Sequence, residues 1–247
     1  IAPYPLPAVV VFAMTTLAPP IVGLIGLSLL SVVILVYLFK REALLWILYL
    51  PILESFALGQ FSLVWLFLLK RGSALSLALL TLKPNLFPLA LPGLATRRDL
   101  WRPFALWCIA IYAPTFLLRP AWLAEWLTRV FGGHDGRIVS GTSASLWPVP
   151  LLAFAGAGLL LLTQHYSWQA IFTSFNPTLR AYDYTLLAGI SRWLIPLSWL
   201  VGAAMIAVQA AWPMALIGIA AALLSPVHEA SNPTHLTRAK IRDNLTA

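Results

Sequence analysis

Glu54, Lys83 and Asp183 stand inside long apolar stretches, where an ionisable side chain costs about 2.5–3.5 kcal/mol on membrane-insertion scales. Such a cost calls for a partner or a ligand, so each is a candidate site residue. The structural alternative for Lys83 is a side chain that snorkels to a nearby interface. For Glu54 it is an ion pair with a lysine or arginine of a neighbouring helix. Arg180 precedes Asp183 by three residues; on a helical turn the two share a face, and they either pair with each other or bind a ligand. His165, at the end of an apolar run, reads as an interfacial anchor rather than as a tetrapyrrole ligand. No Gly-rich phosphate loop, Ser-His-Asp set or suggestive carboxylate pair occurs, and no Cys/His set has metal-ligand spacing. Residue types alone therefore show no catalytic centre, metal site or cofactor site.

The elements that must carry these residues follow from composition. Of 247 residues, 60% are apolar and only 10% charged, with 19 Pro and 11 Trp; mean hydropathy is +0.86. Soluble domains carry about 25% charge, so this composition excludes one and implies a bilayer as solvent. The net charge of +8 is gathered in short clusters between apolar runs: Lys40/Arg41, Lys70/Arg71, Arg97/Arg98/Arg102, and a tail with Arg238, Lys240 and Arg242. These read as loop anchors rather than as a nucleic-acid surface, with the Arg97-Arg98 turn and the tail on the cytoplasmic side. Cys108 is the only cysteine, which excludes an internal disulfide.

Residues 1–39 contain no charge and would make a helix far longer than the roughly 30 Å hydrocarbon core, so Pro19-Pro20 must break it. The run has neither the basic start nor the small-residue exit of a signal peptide. A short interfacial or re-entrant helix is expected near 7–18 and a spanning helix from Pro20 to Phe39. Residues 43–69 form one kinked helix or two short ones meeting at Gly59. Residues 74–96 are apolar around Lys83-Pro84-Asn85, and 103–118 and 146–163 are further spanning candidates. Trp122 and Trp126, four apart, share one face of an interfacial helix. Residues 132–145 form a Gly-rich loop, and 193–227 form a helical pair broken near Trp212-Pro213. The expected fold is all-α: a polytopic helical membrane domain over 1–227, with six to eight membrane segments, some broken or re-entrant, and a polar basic tail over 228–247. Asn244 begins a glycosylation sequon in that cytoplasmic tail, where it is not expected to be used.

The order of short motifs, Tyr4-Pro5, the Pro-broken span, Gly59-Gln60, Lys83-Pro84 within a helix, a basic turn and a late Tyr182-Asp183, resembles the GT-C glycosyltransferases of family 87. These are mannosyl- and arabinofuranosyltransferases that use a polyprenyl-phosphate sugar. The resemblance covers roughly residues 2–187. It implies transfer on the extracytoplasmic side, with Lys83 suited to the donor phosphate because an ammonium in low dielectric holds a phosphate strongly. It makes Gln60, Tyr182 and Asp183 motif matches, with Gln60 and Asp183 binding sugar hydroxyls or positioning loops. Such enzymes carry an acidic catalytic base in a first extracytoplasmic loop ahead of the Tyr-Pro segment. Glu42 and Glu54, the first acidic residues here, lie downstream of it, so no residue of this chain is assigned as the base.

Two functions are expected on these grounds. One is a glycosyltransferase whose catalytic loop lies outside these residues, with a polyprenyl-phosphate sugar or another lipid as partner. The other is a non-catalytic accessory subunit of a larger membrane complex, respiratory or photosynthetic, favoured by the non-Met start. A solute transporter is a weaker third. All place the chain as a multi-pass protein of a prokaryotic cytoplasmic (inner) membrane.

Overall fold

The computed structural model describes residues 5–15, 19–131, 144, 146, 150–163, 168–176 and 179–225. The basic tail, the Gly-rich loop but for Ala144, His165 and the sequon at Asn244 lie outside them. Every regular element among the described residues is helical. In chain order the α-helices are α1 (Leu6–Thr15), α2 (Pro20–Phe39), α3 (Ala43–Trp46), α4 (Leu50–Ala57), α5 (Ser62–Arg71), α6 (Ala74–Leu80), α7 (Leu91–Thr96), α8 (Trp101–Leu118), α9 (Trp122–Phe131), α10 (Pro150–Thr163), α11 (Trp168–Phe175), α12 (Leu194–Val208) and α13 (Ala215–Leu224). Short 3-10 segments join several of them, the longest being Ala181–Leu187.

Among the described residues, two stretches are long and apolar enough to cross a bilayer: Ile21–Trp46, at mean hydropathy 2.7, and Arg98–Leu118, at 1.2. Only 17% and 11% of their most apolar windows are buried in the protein. Ile21, Val22, Ile25, Leu29 and Val33 on α2, and Leu106, Ile109, Leu117 and Leu118 on α8, face outward. An apolar surface of this extent suits lipid rather than water. The remaining helices are shorter, because proline, glycine and left-handed residues interrupt the chain. Lys40 turns α2 into α3 at φ +49°. Gly72, at φ +57°, ends α5 with its N–H on the Leu68 carbonyl (3.1 Å). Ser73 then caps α6, its hydroxyl accepting the Ser76 N–H at 3.2 Å.

Contacts between residues distant in sequence define two ends. At the first, Arg192 reaches Glu42 (2.5 Å) and Arg97 donates to the Gly72 carbonyl (3.2 Å). A side chain on Gly189 would meet Phe39 and the Lys70 ammonium, which brings α2, α5 and the start of α12 together. Lys40, Arg41, Lys70, Arg71, Arg97, Arg98, Arg102 and Arg192 therefore gather at one end. Chain segment 73–96 leaves this end at Gly72 and returns to it at Arg97, forming a hairpin with Lys83-Pro84-Asn85 at its tip. Gly59, by contrast, packs against Leu24 at the start of α2, at the opposite end. From Arg192, α12 rises roughly 22 Å over its 15 residues and ends at Gln209, away from the basic cluster.

Candidate functional site

The tip of the hairpin is held from two neighbouring elements. The Tyr112 hydroxyl of α8 bonds the carbonyl of Thr81 (3.0 Å) and its hydroxyl (2.9 Å). Asn176, just after α11, donates its amide to the Asn85 carbonyl (2.8 Å). Pro84 keeps Lys83 out of helical geometry, so α6 stops and the lysine projects from a turn. Opposite it, the segment Ala181–Leu187 is anchored by Tyr184, whose hydroxyl sits between the carbonyls of Ala144 (2.6 Å) and Thr173 (2.7 Å). Tyr49 donates to the Tyr184 carbonyl (3.1 Å).

Between these two supports Lys83 Nζ donates to Asp183 Oδ1, an ion pair in which Lys83 is 5% and Asp183 1% exposed. Asp183 Oδ2 accepts the Arg180 backbone N–H (3.0 Å), and the Asp183 N–H returns to the Arg180 carbonyl (3.0 Å). The carboxylate is thus engaged on both oxygens. The Lys83 ammonium also lies 5.4 Å from the centre of the Tyr182 ring, a cation–π distance.

Tyr182 joins this buried pair to a cleft of about 600 Å³, within the usual range for ligand sites. Its walls are Leu50 of α4 and Leu58 just after it, Gly202, Met205 and Ile206 of α12, and Met214 beyond it. The polar lining comes from Glu54, Arg180, Tyr182 and Gln209. α4 and α12 are held together by the Leu50 N–H on the Ser198 hydroxyl (3.1 Å) and by the Trp199 indole N–H on the Leu48 carbonyl (2.8 Å). Gly202 lets Leu50 sit where a side chain would collide with it. With Leu58 and Gln209 on its walls, the cleft lies toward the end away from the basic cluster.

The structure thus brings Glu54, Arg180 and Tyr182 to one cleft and joins Lys83 and Asp183 behind it. Four expectations change. Lys83 does not snorkel; it is sealed inside and neutralised, and it does not line the cleft. Lys83-Pro84 is a turn rather than part of a helix. Asp183 pairs with Lys83, not with the Arg180 side chain, because a buried ammonium and a buried carboxylate lower each other's cost. Glu54 has no ion pair with a described residue. Gln60 stays in its own turn before α5, its amide donating to the Leu58 carbonyl (3.2 Å). Sequence reasoning missed Gln209; the signal was a single amide within the uncharged stretch after Arg192, where the chain turns left-handed at φ +51°.

Among the described residues, no group of three or more His, Cys, Asp or Glu is placed to hold a metal ion. No family model, curated protein or solved structure matches the chain.

Proposed function

We propose that this chain is a GT-C-like, multi-pass membrane protein whose cleft takes a polyprenyl-phosphate-linked sugar at the extracytoplasmic side of a prokaryotic inner membrane. The observation that carries the reading is Arg180. Arg180 lines an otherwise largely apolar cleft, and its guanidinium has no carboxylate within 4 Å among the described residues, while Lys83 is already neutralised by Asp183. A planar cation beside apolar walls suits a phosphate attached to a lipid chain. The phosphate role that the family resemblance gives to Lys83 passes on this reading to Arg180, and Lys83 and Asp183 hold the Arg180–Tyr182 segment in place.

Orientation supports the same assignment. The positive-inside rule puts the end bearing Lys40, Arg41, Lys70, Arg71, Arg97, Arg98 and Arg102 in the cytoplasm, which turns the cleft to the other side. On this reading the interrupted segments count as membrane crossings with breaks, bringing the total to six to eight. Broken helices inside a membrane are tolerated where protein or a cavity surrounds their free backbone groups. The test is binding of polyprenyl phosphate to the purified protein in lipid nanodiscs. Arg180→Ala is expected to weaken it about ten- to a hundredfold, and Arg180→Lys less. An unchanged affinity in Arg180→Ala, or no binding by the wild type, would discard the reading.

A second reading, an accessory subunit of a larger membrane complex, draws on the outward apolar faces of α2 and α8, which suit partner helices as well as lipid. Native mass measurement after gentle extraction separates the two, since only the subunit reading requires a stoichiometric partner.

A further inference from the structure

We infer that Glu54 is the hydroxyl-binding group of the cleft, so that the site has a phosphate end at Arg180 and a sugar end at Glu54. This rests on the reading of the cleft as a lipid-phosphate site and adds the means by which a sugar-bearing lipid is told from a bare one.

Glu54 lies on α4 within an apolar run and is half-buried on the cleft wall. The obvious structural reason for a carboxylate there would be a neighbouring cation, and the described residues supply none within ion-pair distance. Lys83 is taken up by Asp183. Arg180 lines the same cleft but lies beyond ion-pair distance. The adjacent Ser55 hydroxyl is spent on the Gln60 carbonyl (3.2 Å). Glu54 forms no hydrogen bond or ion pair with a described side chain, so its oxygens, with roughly four acceptor positions between them, are left to whatever enters the cleft.

The charge selects the ligand group. A phosphate beside Glu54 would place two anions together, whereas neutral hydroxyls donate to a carboxylate in strong, short hydrogen bonds. A carboxylate and a guanidinium on separate parts of one cleft therefore match a molecule that carries an anionic phosphate and several hydroxyls side by side, as a glycosyl phosphate does. Arg180 orients the lipid phosphate, and Glu54 binds the attached sugar.

The experiment compares the affinities of bare polyprenyl phosphate, polyprenyl-phosphate mannose and polyprenyl-phosphate arabinofuranose for the full chain in nanodiscs. The wild type should bind at least one of the sugar-linked lipids more tightly than the bare one. Glu54→Ala should weaken that sugar-linked lipid about ten- to a hundredfold while leaving the bare lipid unchanged or slightly tighter, because a negative charge has gone. Glu54→Gln, which keeps a hydrogen-bonding side chain, should retain part of the preference. Equal weakening of all three lipids by Glu54→Ala would assign Glu54 a purely structural role and overturn the inference. So would a wild type that binds bare and sugar-linked lipids alike, although the phosphate site at Arg180 would then stand. A wild type that binds none of them removes the lipid-phosphate reading itself.

Discussion

Lys83 Nζ donates to Asp183 Oδ1 across a sequence separation of 100 residues, joining the tip of the hairpin to the 3-10 segment that carries Tyr182 and follows directly on Arg180. The pair neutralises two charges that neither segment could bury alone. Because Asp183 also accepts the Arg180 N–H, the position of the cleft's cation depends on it.

Removing one member of this pair should cost more than removing both. Lys83→Met or Asp183→Leu leaves an uncompensated buried charge and is expected to destabilise by about 3–5 kcal/mol, seen as a lowered unfolding midpoint in detergent. The double variant should recover much of that loss, since two apolar side chains of similar size replace the pair. Additive losses would show that the two charges do not interact in the folded protein.

Glycines at different depths should respond in opposite ways to added bulk. A side chain on Gly218 would collide with the Ser174 hydroxyl and lie 3.1 Å from the Ala170 carbonyl, where α11 packs on α13. Gly218→Val is therefore expected to lower stability by about 1–3 kcal/mol or more. Gly26, on the outward face of α2, has nothing within 4 Å. Gly26→Ala should be neutral or stabilising by up to about 1 kcal/mol, from the lower backbone entropy of the unfolded chain. Thermal unfolding of the two variants beside the wild type checks both.

The two ends of the bundle should label from opposite sides of the membrane. In a Cys108→Ser background, Arg98→Cys is expected to react with an impermeant thiol reagent from the cytoplasmic side, and Gln209→Cys from the other. Labelling of both from the same side would contradict the proposed orientation.

Much of the architecture was legible in the sequence, and for local reasons. Pro19-Pro20 separates α1 from α2 because proline lacks a donor and constrains the residue before it. Lys40-Arg41 closes α2, and Trp212-Pro213 parts α12 from α13, where these residues predicted. The amphipathic helix of Trp122 and Trp126 forms, with Trp122 buried against Tyr112 and Phe116 of α8. The number of breaks between 43 and 96 was not legible. A short apolar run has the same composition whether it spans, kinks or re-enters, and the choice depends on which neighbours satisfy its free backbone groups.

The amino-acid sequence by itself determined that the chain is helical and apolar outside, where its cations cluster, and that Glu54, Lys83, Arg180 and Asp183 need explaining. Those properties reside in single residues and their immediate spacing. Only the tertiary structure decided that Lys83 is spent on Asp183 while Arg180 and Glu54 face a common cleft. The cost of a buried charge can be read from its residue type, but its compensation depends on which groups the packing brings within a few ångströms.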